Sequence, residues 1–128
     1  MMMNILHNNR KFPRVSVRIK VKCHELFEEG LKHATVAKNM SIEGMCIFLN
    51  GFVSISHKLL LEFDIPNTER PVKTIFQVKW MHRIPVGDYY VVGGKFIEMS
   101  EESRNLIADY VDNKVRSING ALRKAIHS

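Results

Sequence analysis

The chain has 128 residues but only two cysteines, Cys23 and Cys46, which is too few for a disulfide framework. His24 follows Cys23, but no second Cys/His pair at ligand spacing accompanies it, so we predict reduced thiols and no metal site. No apolar run approaches bilayer-spanning length, and residues 1–9 lack the apolar stretch of a signal peptide. These absences predict one cytoplasmic domain.

Catalytic arrangements are missing as well. The sequence offers no nucleophile–base pair, no paired carboxylates at useful spacing and no phosphate-cradling glycine loop, and its six histidines are scattered. We therefore predict that the protein is not an enzyme and needs no cofactor.

Acidic residues are absent from the first 24 positions, which contain six basic ones. These are Arg10, Lys11, Arg14, Arg18, Lys20 and Lys22. The other 13 Lys and Arg (19 minus 6) are balanced by 13 Asp and Glu, so the net charge of +6 arises entirely in this segment. Such a cluster suits an anionic partner, namely phosphate, nucleic acid or a membrane surface. The alternative is a solvated strand face whose basic side chains protect a sheet edge.

Six segments have the alternation or the β-branched and aromatic enrichment of strands. They lie at residues 15–22, 34–38, 45–49, 59–65, 72–83 and 89–99. In the fifth segment Trp80 shares a face with Thr74 and Phe76, so we expect its indole in the core. Because no helices alternate with these segments, we do not expect a parallel α/β sheet.

Helical spacing begins after Ser100, a good N-cap followed by Glu101 and Glu102. Six strands and one helix predict an all-β fold, a six-stranded antiparallel barrel with a C-terminal helix. We divide the chain into a flexible N-terminal tail (1–8), a barrel domain that includes the start of the helix (9–112) and a helical extension (113–128).

The apolar stripe of this helix continues through Val115, Ile118 and Leu122 in steps of three and four, which is coiled-coil spacing. The first part of the helix should close one end of the barrel. No barrel surface is left for the extension to cover, so we expect a homo-oligomer formed through this stripe. The alternative is that the helix folds back on the barrel.

Two short motifs flank the predicted strands. Arg10 and Arg14 form R-x-x-x-R ahead of the first strand, and Asn39, Ser41 and Gly44 form N-x-S-x-x-G between the second and third. With these two motifs in this order, the chain resembles the PilZ family, whose signatures are R-x-x-x-R and [D/N]-x-S-x-x-G. The Gly-Gly-Lys-Phe run at 93–96 also resembles the G-x-x-F of that family's last strand, and the resemblance covers about residues 9–112.

The resemblance implies a receptor for the bacterial messenger cyclic di-GMP. Arg10 and Arg14 would be the ligands on the N-terminal arm, and Asn39, Ser41 and Gly44 would line the pocket on the barrel. Asn9 stands where many relatives carry a further arginine, which leaves the number of bound ligands open.

The chemistry of these residues agrees with that ligand. A guanidinium pairs with phosphate oxygens or with the O6/N7 edge of guanine, and Lys11 adds charge. Asn39 and Ser41 can read a base edge, while Gly44 permits a positive φ or a close approach of the ligand. A stacking role for Trp80 is the alternative to core packing.

We expect ligand binding to fold the basic arm across the barrel mouth and so to alter contact with a protein partner. Two other readings stay open. One is a basic barrel that binds nucleic acid. The other is a PilZ-like adaptor that oligomerises without binding ligand.

Overall fold

A computed structural model describes residues 12–27 and 33–127. Within these residues six strands precede one helix: β1 (Val15–Glu25), β2 (His33–Met40), β3 (Gly44–Asn50), β4 (Lys58–Phe63), β5 (Val72–Arg83), β6 (Tyr89–Met99) and α1 (Glu101–His127). All strand pairs are antiparallel, and the order β1-β2-β3-β6-β5-β4 closes into a barrel because β1 also pairs with β4. The predicted six-stranded barrel with a C-terminal helix is confirmed.

The alternation in β1 shows how the sequence builds this wall. Val15, Ile19 and Val21 are buried in the core, whereas Arg18 and Lys20 are exposed on the outer surface. Successive side chains of a strand point to opposite faces, so one strand supplies both core and a basic surface. The basic residues of β1, Arg18, Lys20 and Lys22, therefore lie on the outside of the barrel.

Trp80 does not lie in the core, contrary to the prediction. Val78 pairs with Gly94 and Trp80 pairs with Gly93, so two steps along β5 match one step along β6. Such a bulge changes which face the following residues occupy. Phe76 is fully buried, but Trp80 lies on the outer surface and is 38% exposed.

Helix α1 closes one end of the barrel. Its first turn is capped by Ser100, whose Oγ accepts a hydrogen bond from the Ser103 N–H at 3.1 Å. Ile107 and Val111 are buried in the barrel core, and Val111 lies beside Phe12 and Pro13, which precede β1, and Ile42 of the β2–β3 turn. No helix in the described part of the chain is long and apolar enough to cross a membrane.

The second half of α1 extends beyond the barrel. Ile118, Leu122 and Ile126 are 55%, 49% and 71% exposed. The helix thus consists of a packed half and a projecting half.

Candidate ligand-binding site

The second motif forms a tight turn in which only residues 41–43 lie between β2 and β3. The Ser41 N–H donates to the Gly44 carbonyl at 2.9 Å, and the Glu43 N–H donates to Ser41 Oγ at 3.1 Å. Ser41 is 3% exposed, so its hydroxyl is engaged in holding the turn. The sequence predicts a loop that runs from Asn39 to Gly44. In the structure Asn39 belongs to β2 and Gly44 begins β3, so the loop is shorter.

Gly44 packs against β6. A Cβ atom at Gly44 would overlap the carbonyl oxygen of Gly94. The Phe96 N–H also donates to the Glu43 carbonyl at 2.8 Å, which ties the turn to β6. Among the described glycines a positive φ occurs at Gly51 and Gly87. Of the two predicted reasons for a glycine at position 44, a positive φ is therefore not the one, and a close approach of the ligand stays a prediction. Close contact between two backbones requires the glycine here.

Arg14 and Asn39 are brought together by the pairing of β1 with β2. Ser16 pairs with Asn39 and Val15 with Met40, so the residue just before β1 lies beside the end of β2. Arg14 Nη1 donates to Asn39 Oδ1 at 3.1 Å. The first and second motifs therefore meet on one side of the barrel. Arg10 and Lys11 lie outside the described residues.

A row of paired residues continues from Asn39 across the outside of the barrel. Asn39 pairs with Cys46, Cys46 with Gly93, and Gly93 with Trp80. We call this row, Asn39–Cys46–Gly93–Trp80, the outer wall. The indole of Trp80 covers Gly93 so closely that a Cβ there would overlap it. Three strand spacings of about 4.8 Å each, measured along the curved sheet, separate the strand of Trp80 from the strand of Asn39.

The outer wall carries positive charge at its Asn39 end. Burial raises the pKa of the Cys46 thiol, while the charges of Lys38 and Arg14 act in the opposite direction. The two cations therefore lie close enough to act on the middle of the wall. Lys95 Nζ lies 3.7 Å from Glu43 Oε2 at the edge of the turn, where both side chains are partly exposed.

These groups suit a ligand that is both anionic and aromatic. A guanidinium and an ammonium attract phosphate, a carboxamide reads a base edge, and an indole over a glycine gives a flat apolar surface. Within residues 12–27 and 33–127, no group of three or more His, Cys, Asp or Glu side chains could hold a metal ion.

Sequence reasoning did not assign Lys38, Cys46 or Gly93 to the site, and it favoured the core for Trp80. The Gly93-Gly94 pair was the available signal, since glycine in a strand marks a bulge or a close approach. Only the register of β5 on β6 shows which side chain uses that space.

The PilZ domain family model matches residues 8–113 of the chain. No curated protein sequence matches it.

Several solved structures share the fold. An inhibitor of motility from Bacillus subtilis, MotI/DgrA, superposes with a TM-score of 0.69 at 19% identity, over 86% of this chain and 52% of that one. The PilZ domain of YcgR from Escherichia coli, with c-di-GMP, has a TM-score of 0.65 at 11% identity, over 90% and 98% of the two chains. The K. pneumonia MrkH–c-di-GMP complex has a TM-score of 0.63 at 18% identity, over 90% and 55%. The chain thus spans about half the length of MotI/DgrA and MrkH.

Proposed function

Because the chain belongs to the PilZ domain family, we propose that it is a cytoplasmic receptor and adaptor for cyclic di-GMP and not an enzyme. The observation that supports this most is the Arg14–Asn39 hydrogen bond of 3.1 Å, which joins the two motifs. The YcgR PilZ domain and MrkH, which share the fold, are structures with c-di-GMP.

In the proposed complex, cationic groups bind the phosphates. Arg14 and Lys38 flank the Asn39 end of the outer wall, and Arg10 and Lys11 of the preceding arm join them. A hydrogen bond from a guanidinium to a charged phosphate oxygen is stronger than the bond that the guanidinium of Arg14 makes to the uncharged amide oxygen of Asn39. Arg14 therefore exchanges the amide for the ligand, and Asn39 becomes available to a base edge.

The remaining motif residues shape the site. Ser41 is buried and bonded within the turn, and Gly44 is packed on β6, so in this proposal they hold Asn39 in position. Trp80 offers a stacking surface at the far end of the wall.

Ligand binding changes the conformation of the N-terminal arm, and through the arm it changes contact with a protein partner. Phe12 and Pro13 lie beside Ile42 and the packed half of α1, so the arm connects the ligand site to the helix. Recruitment of Arg10 and Arg14 to the phosphates orders the arm across the barrel and alters the surface that a protein partner contacts.

Isothermal titration calorimetry with cyclic di-GMP tests the proposal. Separate titrations with GTP and with a short oligonucleotide are the controls. Arg14→Ala should weaken cyclic di-GMP binding by about tenfold to a hundredfold, because charge-assisted hydrogen bonds contribute about 1.5–3 kcal/mol. Arg83→Ala is the matched control, since Arg83 is an exposed arginine at the opposite end of β5 from the helix-capped end and pairs with Asp88 at 3.7 Å.

Three results would contradict the proposal. Equal affinity of wild type and Arg14→Ala for cyclic di-GMP would show that Arg14 does not bind the ligand. Preferred binding of the oligonucleotide with steep salt dependence would indicate a nucleic-acid-binding barrel. No heat with any nucleotide would indicate an adaptor without ligand.

A further inference from the structure

The cations on the outer face of β1 have no part in the proposed ligand site. Arg18, Lys20 and Lys22 point outward at alternate positions, and all three are exposed. Within residues 12–27 and 33–127, none of these three side chains forms a hydrogen bond or an ion pair. We call them the basic row. Neighbouring charges of one sign that are not neutralised attract a partner of the opposite sign.

A groove of about 520 Å³ lies over part of the basic row. Lys20 and Lys22 line it, with Ala34 and Val36 of β2 on one side and residues 62–64 of β4 on the other. We call it the β1 groove. Val36 is 38% exposed, so the β2 side is an uncovered apolar wall. The groove therefore offers a partner both positive charge and an apolar contact.

The β1 groove opens where β4 separates from β1. Pairing of these two strands begins at Val21 and Phe63, so Lys20 has a strand neighbour only in β2. An extended polypeptide carries alternating N–H and C=O groups, which match the unpaired backbone of a strand edge. A phosphodiester backbone and a lipid surface lack this alternation. The edge therefore favours a polypeptide as the occupant.

The β4 side of the groove discriminates further among anionic partners. Glu62 and Asp64 line it, and Glu62 pairs across the sheet with Lys22. A continuous chain of phosphates would bring negative charge against these carboxylates. A peptide carries its charges on separate side chains, so its carboxylates can lie at Lys20 while its backbone N–H groups face Asp64. The groove thus suits an acidic peptide better than a nucleic acid.

We infer that the β1 groove binds an extended acidic segment of a partner protein. Its glutamate or aspartate side chains lie against Lys20 and Lys22, and its aliphatic side chains lie against Val36. The basic row is then a recognition surface and not only a solvated strand face.

The proposed ligand site lies on the same two strands as the groove. Lys38 and Asn39 follow Val36 along β2 by two and three residues, which is about 7–10 Å. Cyclic di-GMP bound there adds negative charge within about one Debye length of the groove and should weaken binding of an acidic segment. This coupling rests on the proposed function, whereas the groove itself does not.

Fluorescence anisotropy with the full chain and labelled peptides tests the inference. The probe is a peptide of about six residues, an ordinary strand length, with blocked ends and alternating glutamate and valine. Wild type should bind it and should not bind the same peptide with lysine in place of glutamate. Lys20→Glu should weaken binding of the glutamate peptide by about fivefold to tenfold, because repulsion replaces attraction.

Lys58→Glu is the matched control for this variant. Lys58 is an exposed lysine of β4 that does not line the groove. Its reversal changes the net charge of the chain by the same amount, so an effect of overall charge would appear in both variants. We expect nearly unchanged affinity for the glutamate peptide, and circular dichroism should show equal folding of both variants.

Reversal of both groove cations tests which charges the peptide contacts. The double variant Lys20→Glu with Lys22→Glu should bind the lysine peptide in preference to the glutamate peptide. A double variant that keeps the preference of wild type would exclude contact between the peptide and the basic row.

The apolar wall has its own test. Val36→Ser should weaken binding of the glutamate peptide by about threefold to tenfold, because it removes an apolar contact. Ile97→Ser is the control, since Ile97 is an aliphatic residue of β6 that is 42% exposed and lies outside the groove.

Three outcomes would overturn the inference. The first is that wild type binds neither peptide. The second is preferred binding of a single-stranded oligothymidylate, and the third is preferred binding of vesicles of phosphatidylcholine and phosphatidylglycerol. Calorimetry with cyclic di-GMP on the same variants separates the two proposals: loss of peptide binding at unchanged ligand affinity concerns the groove alone.

Discussion

The β2–β3 turn and the outer wall use motif residues in opposite ways. In the turn, Ser41 and Gly44 are buried and their contacts are internal, to the Glu43 N–H and to the backbone of β6. On the wall, Arg14 and Asn39 are only partly buried and bond to each other through side chains. One short motif therefore contains two buried residues that hold the turn and one partly exposed carboxamide, that of Asn39, which we propose contacts the ligand.

This difference predicts two classes of mutational effect. Changes in the turn should lower the free energy of unfolding while leaving the affinity of the folded fraction nearly unchanged. Changes on the wall should lower affinity with little loss of stability. A variant that lowers both the free energy of unfolding and the affinity would contradict this comparison. So would a turn variant that lowers only affinity, or a wall variant that lowers only stability.

The largest expected effect is that of Gly44→Ala. The new methyl group would overlap the carbonyl oxygen of Gly94 and force β3 away from β6. Overpacking of this kind costs about 1–3 kcal/mol, and we expect the upper end because the obstacle is backbone. Urea denaturation measures it. Gly120→Ala is the control, because no atom outside its own helix lies within 4 Å of its added Cβ. It should be neutral or stabilising.

Trp80→Ala should come next and should act on affinity. Stacking of a base on an aromatic side chain contributes about 1–3 kcal/mol, so we expect roughly tenfold weaker binding of cyclic di-GMP. Trp80→Phe should recover part of the loss. Tyr89→Ala, which removes another exposed aromatic ring from the barrel, should bind as wild type does. If calorimetry shows unchanged affinity in Trp80→Ala, Trp80 does not contact the ligand.

Ser41→Ala should have the smallest effect. It removes the acceptor of the Glu43 N–H bond of 3.1 Å but leaves the backbone bond from Ser41 to Gly44 in place. We expect a loss of about 1 kcal/mol in the free energy of unfolding and less than about a twofold change in affinity. A large loss of affinity at unchanged stability would indicate that the Ser41 hydroxyl contacts the ligand. Ser41 would then belong with the wall residues that determine affinity.

Most of the fold could be predicted from the sequence because alternation is a local property. Val15, Ile19 and Val21 face the core because side chains alternate between the two faces of a strand. The same alternation identifies the strand in the sequence. The change to helical spacing at Ser100 likewise marks the start of α1.

The rest depends on register, which is not local. Trp80 was assigned to the core because it keeps the period of Thr74 and Phe76, but the bulge after Val78 breaks that period. From the sequence, Gly44 suggests a positive φ or a close approach of the ligand, whereas the constraint in the structure comes from Gly94, fifty residues later in the chain. Only the pairing of β3 and β5 with β6 determines both.

The closure of the barrel limits how this protein can bind another polypeptide chain. β1 pairs with both β2 and β4, so each of the six described strands has two hydrogen-bonded neighbours. The closure is partial along the strands, because β4 pairs only with residues 72–77 of β5 and 21–25 of β1. Residues 79–83 of β5 and 15–20 of β1 therefore have a strand neighbour on one side only, and such stretches are where a peptide can add by β-augmentation. Where two described strands flank a third, recognition has to proceed through side chains, which a point mutation can change without altering the sheet.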